Sequence, residues 1–511
     1  MWPFSTIQKL RDENASLTRR LQELETLIAK NEKDIYSLRN EQKTAQEKLI
    51  VIEKDRDELK KHFDFMKNVE VTPEFLEVEK SIKNRDPLIF VHGGAGTGKS
   101  TLVQWLKAKG LIHVVLAPTG LAALNVGGMT IHRAFQFPGF PVFTKDGTDP
   151  ILPQNFKSVL DNLKANNIET ICIDEISMVR SDLLDAINVS LNNTYGGNLF
   201  GGFQFIFVGD LYQLPPVVNQ AVAHFFDPKD ENYPGDLHGW RSPWFLDSDV
   251  LTLYRSKMKR IDLTRVFRQS GEKDFVHTLN NLRNYSNIPE SAKALNGLIP
   301  VKDAGEHNCV IIVGTNAQAD CENNKRLQML ATDSSRYAAM KTGTFLDYTQ
   351  KNLPVPDDIT LKVGEFVMFV ANDSDKRFFN GTTGEITHFG VKGEVYVKIE
   401  GRHDDVPVQQ YEWIDYDVVW DPGLKRFVNN EVGRYSQIPL IPAYAITCHK
   451  SQGKTIDKVF IDIQRAFSSG QMYVALSRTR SLHDITMKRP LIYGDFPCNP
   501  ALLRFKQQGL I

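Results

Sequence analysis

The first 66 residues repeat apolar positions at a spacing that predicts one long amphipathic helix. From Ile7, and again from Leu10, every seventh residue is mostly Leu, Ile or another apolar residue. No Gly or Pro interrupts residues 5–66, and a 3-4 repeat sustained over many heptads is typical of a coiled coil. At 1.5 Å per residue, this helix would be roughly 90 Å long.

The charged residues that flank the apolar stripe favour two parallel chains. Facing positions in a parallel pair are opposite in sign: Arg20 with Glu25, Asp34 with Arg39, Lys48 with Glu53, and Asp55 with Lys60. Asn14 within the stripe is typical of a two-stranded register. We predict a coiled coil over residues 1–68, which forms a parallel homodimer or binds a partner protein through residues 5–66. An unpaired, solvated helix is the alternative, because three further polar residues interrupt the stripe.

Beyond Val69 the pattern changes to short apolar runs, each followed by a polar or Gly-rich turn and a helical stretch. The clearest runs are residues 88–91, 114–117, 171–173 and 205–208. Strands that alternate with helices predict an α/β fold with parallel sheets. Ligands of such sheets bind at the carboxyl ends of the strands, so the polar clusters after these runs should converge on one site.

Composition and charge narrow the class of protein. The chain has 511 residues, of which 41% are hydrophobic and 24% charged, which suits about three or four globular domains. The 61 Lys and Arg against 62 Asp and Glu argue against a wholly basic nucleic-acid coat but allow a local basic channel. No apolar run predicts a membrane span or a secretory signal. Five scattered cysteines indicate a reducing compartment, the cytoplasm or nucleoid, or the nucleus or mitochondrion in a eukaryote.

The first polar cluster, GGAGTGKST, matches the phosphate-binding pattern G-x-x-x-x-G-K-[ST] between a strand and a helix. Its backbone N–H groups would cradle phosphates, Lys99 would reach the β- and γ-phosphates, and the Ser100 hydroxyl would bind Mg²⁺. The residues expected to hold ATP are Gly93, Gly94, Ala95, Gly96, Thr97, Gly98, Lys99, Ser100 and Thr101.

The third apolar run ends in the acidic pair Asp174-Glu175. P-loop enzymes use such a pair to hold Mg²⁺ and to orient the attacking water. We expect Asp174 to bind the Mg²⁺ shell and Glu175 to polarise the water as the catalytic base. These residues alone therefore predict hydrolysis of a nucleoside triphosphate.

Six further segments carry recognisable motifs, in chain order APTGLAALNVGGMTIHRAF, IDEISMV, GDLYQLPPV, LTRVFRQ, AYAITCHKSQGKTID and GQMYVALSRTRS. They resemble the motifs of superfamily-one helicases, on the Pif-type branch that includes RecD-like enzymes. The resemblance spans about four-fifths of the chain. It implies two RecA-like domains with ATP in the cleft between them and single-stranded DNA across their tops.

The resemblance also implies domain boundaries. The first RecA-like domain would cover residues 69–245, including a short wedge insertion in the aromatic segment 135–143. The second would comprise residues 246–346 and 440–511. Between its two parts, residues 347–439 alternate apolar and polar residues between Gly-rich turns, which predicts a small inserted antiparallel β-barrel.

Individual roles follow from the same resemblance. Gln213 would sense the γ-phosphate, and Arg268 and Arg478 would reach across the cleft as arginine fingers. The residues expected to contact DNA are Thr119, His132, His449, Lys450 and Ser451, although either histidine could instead be an interior residue. Relatives usually carry an adenine-binding glutamine upstream of the P-loop, where this chain has Phe75, so the preference for ATP is left open.

The leading prediction is an ATP-dependent helicase that moves 5′ to 3′ on single-stranded or forked DNA with Mg²⁺. Replication, repair, recombination and telomere maintenance all remain possible pathways. The alternative is a coiled-coil adaptor whose P-loop domain is a nucleotide-dependent DNA-binding switch without processive unwinding.

Overall fold

The structure is a computed structural model in which the chain divides into two compact units, Met1–Glu70 and Val71–Ile511. From residue 65 onward it describes all residues except 138–151, 198, 236–238, 270, 303–308, 349, 351–352, 374, 376, 392, 422–425 and the side chains of 121, 221 and 416–430. Before residue 65 it describes 9, 13–28, 30, 31, 33, 36, 42 and 56, which are helical and exposed. Half of the predicted coiled-coil stripe therefore lies outside the described residues, and its pairing stays a prediction.

The first sheet has six parallel strands in the order β3-β2-β4-β5-β1-β6. The strands are β1 (Leu88–Gly93), β2 (Val114–Ala117), β3 (Met129–Thr130), β4 (Thr170–Ile173), β5 (Gln204–Gly209) and β6 (Met258–Leu263). The helices of this region are α1 (Pro73–Lys83), α2 (Lys99–Ala108), α3 (Gly120–Val126), α4 (Ile131–Phe135), α5 (Gln154–Ala165), α6 (Ser181–Tyr195) and α7 (Asp249–Tyr254). The four apolar runs are confirmed as strands β1, β2, β4 and β5, and all four are buried along their whole length, as parallel strands covered on both faces should be.

The rest of the chain begins with α8 (Lys273–Arg283), α9 (Ile288–Leu298), β7 (Val310–Val313) and α10 (Asn316–Met329). Ten strands follow: β8 (Ser334–Ala338), β9 (Met340–Gly343), β10 (Asp358–Lys362), β11 (Phe366–Phe369), β12 (Thr383–Phe389), β13 (Val395–Ile399), β14 (Val406–Val408), β15 (Tyr411–Asp421), β16 (Arg426–Gln437) and β17 (Leu440–Pro442). The chain ends with β18 (Ala445–Thr447), α11 (Cys448–Ser451), β19 (Val459–Asp462), α12 (Gln471–Leu476), β20 (Ile485–Met487) and α13 (Pro500–Gln507).

Two of these groups of strands form separate cores. Strands β18-β7-β19-β20 make a second parallel sheet, which packs with α8, α9 and α12. Strands β8 to β17, which we call the insertion, pair in three small antiparallel sheets around a shared apolar core. We call the regions around the first and second parallel sheets the first and second lobes. Two parallel-sheet lobes confirm the predicted α/β class, whereas none of the insertion's sheets closes on itself in the described residues.

Three boundaries differ from the prediction. Strand β6 pairs with β1, so the first sheet reaches Leu263 and not residue 245. The insertion begins at Ser334 and ends at Pro442, wider than the predicted 347–439. Helix α13, predicted to belong to the second lobe, buries Ala501 and other residues in the core of the first lobe. Sequence patterns report which face of an element is apolar but not which core covers it, which explains the differences.

No helix in the part of the chain that the structure describes is long and apolar enough to cross a membrane.

Candidate nucleotide site between the two lobes

The phosphate-binding loop lies between the end of β1 and the start of α2. Gly96 and Gly98 have φ angles of +75° and +87°, which L side chains rarely adopt. A Cβ atom on Gly96 would also lie 2.6 Å from Cβ of Arg268, so this glycine permits the close approach of another segment. The backbone N–H of Phe267 donates to the Gly96 carbonyl at 2.8 Å, which holds that segment against the loop.

Lys99 is folded onto the loop. Its Nζ donates to the carbonyl oxygens of Gly93 and Gly94, both at 2.9 Å. Burial lowers the pKa of the Lys99 ammonium, although the nearby carboxylates of Asp210 and Glu175 oppose this effect. Among the described residues, the hydrogen bonds of this half-buried cation go to neutral carbonyl oxygens. A polyphosphate would replace these dipoles with full negative charge.

The carboxyl end of β4 presents the acidic pair. Asp174 is buried, and burial together with the charge of Glu175 raises its pKa to about 7. Oxygen atoms of carboxylates and hydroxyls are the ligands that Mg²⁺ prefers, so Asp174 and Ser100 fit this ion chemically. A divalent cation would also stabilise the charged form of the buried Asp174 carboxylate.

Glu175 has a left-handed backbone conformation, with φ 50° and ψ 44°. This conformation is uncommon outside glycine, and such backbone strain clusters at functional sites. The side chain accepts a hydrogen bond at 3.2 Å from Nε2 of Gln452, which belongs to the second lobe. The proposed catalytic base is therefore already in contact with both lobes.

Gln213 follows β5 and is buried beside Asp210. Its Nε2 donates to Oδ2 of Asp210 at 3.3 Å. Burial alone would raise the pKa of Asp210, but the Arg283 guanidinium, a hydrogen bond from His92 and the Lys99 charge hold it far below its usual range. Asp210 is thus a permanently charged anchor for the side chain expected to sense the γ-phosphate.

The two predicted arginine fingers lie near each other. Arg268 Nη1 donates to the Ser477 carbonyl at 3.0 Å, and burial together with the Arg478 charge lowers its pKa to about 9. Arg478 is fully buried and donates to the carbonyls of Ser451 and Lys454 at 3.1 and 3.3 Å. In this arrangement Arg268 borders the phosphate-binding loop, whereas Arg478 is bound within its own lobe.

Four site residues were not predicted from the sequence: Asp210, Arg283, Tyr473 and Gln452. Arg283 lies 4.8 Å from the Tyr212 ring centroid and pairs with Asp210, and the Tyr473 hydroxyl accepts from the Ala95 backbone N–H at 2.9 Å. Gln452 contacts Glu175. Asp210, Tyr473 and Gln452 lie inside the motif segments, and this position could have marked them as site residues. Arg283 lies on α8, outside those segments.

The predicted DNA-contacting residues divide into exposed and buried groups. Thr119 and Lys450 are exposed, and His132 and His449 are half-buried. Burial lowers the pKa of both histidines, so their rings are neutral near pH 7. Ser451 differs from the prediction, because its buried hydroxyl donates to the Cys448 carbonyl at 2.7 Å and so serves the loop.

Two aromatic predictions are also resolved. In the predicted wedge segment, the Phe135 and Phe137 rings stack in the first-lobe core with centroids 5.1 Å apart, and residues 138–143 lie outside the described residues. Phe75, where relatives usually have glutamine, is buried against Trp105 at 5.7 Å. A Cβ atom on Gly98 would lie 3.6 Å from Cζ of Phe75, so this buried ring packs under the phosphate-binding loop.

The two parallel-sheet lobes and the phosphate-binding loop define a P-loop nucleotide hydrolase of the RecA-like class. Residues 70–226 match the family described as PIF1-like helicase. The crystal structure of Bacteroides Pif1 with ADP-AlF4 is 31% identical, with a TM-score of 0.74 over 86% of this chain and 97% of that chain. The chain belongs to the PIF1-like helicase family.

Curated relatives agree with this assignment. The ATP-dependent DNA helicase PIF1 of Emericella nidulans is 29% identical over 88% of this chain, and the human PIF1 is 31% identical over 82%. The chain spans 65% and 60% of the length of these two proteins. The nucleotide analogue in the Bacteroides structure agrees with the predicted use of ATP.

Proposed function

We propose that this chain is an ATP-dependent DNA helicase that moves along single-stranded DNA. The observation that carries the proposal is the convergence of groups from both lobes on one phosphate-binding loop. Lys99 of the first lobe folds onto the loop, and Tyr473 of the second lobe accepts from the loop N–H of Ala95. Beside the loop, Gln452 of the second lobe contacts Glu175, and Gln213 binds Asp210. Hydrolysis at such a site changes the contacts between the lobes, and movement of the lobes is what a translocating enzyme needs.

The reaction would proceed by in-line displacement. The oxygen of a water molecule bonds to the γ-phosphorus while the bond to the β–γ bridging oxygen breaks, and the electron pair leaves with ADP. Glu175 takes the proton of the water. Lys99 and Arg268 neutralise the charge that develops on the transferred group. Ser100 and Asp174 would hold Mg²⁺, which would supply further charge neutralisation when bound.

DNA binding is supported by the exposed groups next to the site and by solved relatives. Related Pif1 structures are described with single-stranded DNA and with forked duplex DNA. In this chain, Lys450 would contact a phosphate by charge, and the neutral His132 and His449 would contribute hydrogen bonds or stacking. Thr119 would add a hydroxyl contact. We propose 5′ to 3′ movement, on the resemblance of the motifs.

The coiled-coil pattern supports a second part of the proposal. Residues 5–66 would join two copies in parallel, or bind a partner protein, because the facing charges are complementary. The helicase would then act in the compartment that contains DNA, which is the nucleoid, or the nucleus or mitochondrion in a eukaryote.

Steady-state ATP hydrolysis with and without single-stranded DNA tests the proposed activity. We expect DNA-stimulated hydrolysis in the natural chain, and loss of at least about a hundredfold in Lys99→Ala and Glu175→Gln. Lys80→Ala, an exposed lysine of α1, is the matched control and should retain full activity. Hydrolysis that persists in Lys99→Ala would contradict the assignment of the site.

A further inference from the structure

Gln452 directly follows α11 and reaches from the second lobe to the first. Its Nε2 lies 3.2 Å from Oε2 of Glu175. An ionised carboxylate only accepts hydrogen bonds, so the amide nitrogen must be the atom that faces it. This requirement determines the orientation of the whole amide group.

The carbonyl oxygen of the same amide is the unusual feature. Oε1 of Gln452 is buried and makes no hydrogen bond to any residue that the structure describes. Buried acceptors are nearly always paired, and an unpaired one is a candidate for a functional role. Here the unpaired oxygen belongs to a side chain already bound to the proposed catalytic base.

The backbone around Gln452 is held on both sides, so the position of the amide is set by the fold. Arg478 donates to the carbonyls of Ser451 and Lys454, the residues that flank the Gln452-Gly453 pair. The backbone N–H of Gln452 donates to the backbone carbonyl of His449 at 3.2 Å. Gly453 then turns the chain with a φ of +77°. A side chain supported in this way can present its oxygen at a constant place.

We propose that Gln452 is a water-positioning residue of ATP hydrolysis, an inference that rests on the proposed function. A water molecule between the two side chains would donate one hydrogen to the Glu175 carboxylate and the other to Oε1 of Gln452. Its oxygen lone pair is then free to attack the γ-phosphorus, and the β–γ bridging bond breaks toward ADP. Glu175 takes the proton, whereas Gln452 only orients the water, because an amide oxygen is not a base at neutral pH.

The position of Gln452, close in sequence to the proposed DNA-contacting residues, would couple DNA binding to ATP hydrolysis. His449 and Lys450, which we propose to contact DNA, lie three and two residues before it, respectively, on the same short segment. A DNA strand that shifts this segment also shifts the oxygen that holds the water. DNA binding would thereby change the rate of ATP hydrolysis through the short segment 449–452.

The test compares Gln452→Met, which keeps the length of the side chain but removes the amide, with Gln464→Met, an exposed glutamine of the second lobe. Both are made in the full chain. The measurements are kcat and KM for ATP at saturating oligo-dT, the Kd for fluorescent ADP, the Kd for oligo-dT, and the thermal unfolding midpoint.

For Gln452→Met we expect kcat to fall by about tenfold to a hundredfold, while KM and both Kd values stay within about twofold of the natural chain. Gln464→Met should match the natural chain throughout. An unchanged kcat, or losses of affinity and thermal stability that parallel the loss of kcat, would overturn the inference. If Gln452→Met does not fold, Gln452→Asn takes its place, because its amide is one methylene too short, and a natural kcat in that variant overturns the inference equally.

The outcomes separate this inference from the proposed function. A natural chain that hydrolyses ATP alongside a fully active Gln452→Met variant removes only the role of Gln452. A natural chain and a Gln464→Met control that both fail to hydrolyse ATP overturn the proposed function and the inference together.

Discussion

Arg283 of α8 pairs with Asp210 at the end of β5, with its Nη2 2.8 Å and its Nε 3.0 Å from the same carboxylate oxygen. The Asp210 side chain is fully buried and that of Arg283 is 11% exposed, and the pair joins the second lobe to the strand that precedes Gln213. Gln213 binds the other oxygen of the same carboxylate. The ion pair therefore connects the contact between the lobes to the expected γ-phosphate sensor.

Arg283→Gln should strongly destabilise the protein, because it leaves the Asp210 charge buried without its main partner. The expected loss in the free energy of unfolding is about 3–5 kcal/mol. Urea denaturation followed by circular dichroism measures it. Arg336→Gln is the control, because its ion pair with Asp358 lies at the surface of the insertion and its loss should change little. Equal effects of the two substitutions would contradict the importance given to the buried pair.

The buried carboxyl group of Glu365 should make the stability of the protein depend on pH. It is fully buried beside β11, and burial raises its pKa to about 7, while its Oε2 accepts from the Lys362 backbone N–H at 2.9 Å. A carboxyl with a raised pKa in the folded state stabilises the protein below the unfolded pKa, and this contribution is lost as the pH rises through about 7.

Glu365→Gln keeps the shape and the acceptor without the charge. We expect it to raise the free energy of unfolding by about 1–3 kcal/mol at pH 8 relative to the natural chain, and to change it little at pH 4. Urea denaturation at the two pH values measures the difference. Glu385→Gln, an exposed residue of β12, serves as the control. A gain that is the same at both pH values would argue against a titrating Glu365.

Features of the site that depend on contiguous residues could be predicted from the sequence. Features that depend on contacts between distant residues could not. The phosphate-binding loop and Asp174-Glu175 are contiguous motifs at strand ends, so their place was predictable. Arg283 and Tyr473 enter the site because the second lobe packs against the first. Tyr473 lies inside a motif segment, whereas no local pattern marks Arg283. The burial of Ser451 was not predictable for the same reason, since it depends on contacts with distant residues such as Arg478.

Lys450→Ala should weaken binding to single-stranded DNA and reduce its dependence on salt. Each phosphate contact that a lysine neutralises contributes roughly 0.7 to the slope of log affinity against log salt concentration for single strands. We expect the slope to fall by about that amount. Fluorescence anisotropy with oligo-dT across a salt series measures it. Lys325→Ala, an exposed lysine of α10, provides the comparison, and an equal change in both variants would mean that Lys450 has no special role.

The coiled-coil pattern predicts the mass of the protein in solution. The full chain should scatter light as a dimer, whereas a chain that begins at Val71, the start of the second compact unit, should be a monomer with ATP hydrolysis intact. Light scattering coupled to gel filtration measures both. A full-length chain that is a monomer at micromolar concentration would contradict the parallel pairing of two copies and leave pairing with another protein.

The central claim is that hydrolysis at this site drives the separation of DNA strands. The most direct measurement is strand displacement from duplexes that carry a single-stranded tail at either the 5′ or the 3′ end, with ATP and Mg²⁺. The account predicts displacement from the 5′-tailed duplex, and none in Lys99→Ala. ATP-dependent binding to DNA with no displacement from either duplex would contradict it and favour a nucleotide-dependent binding switch.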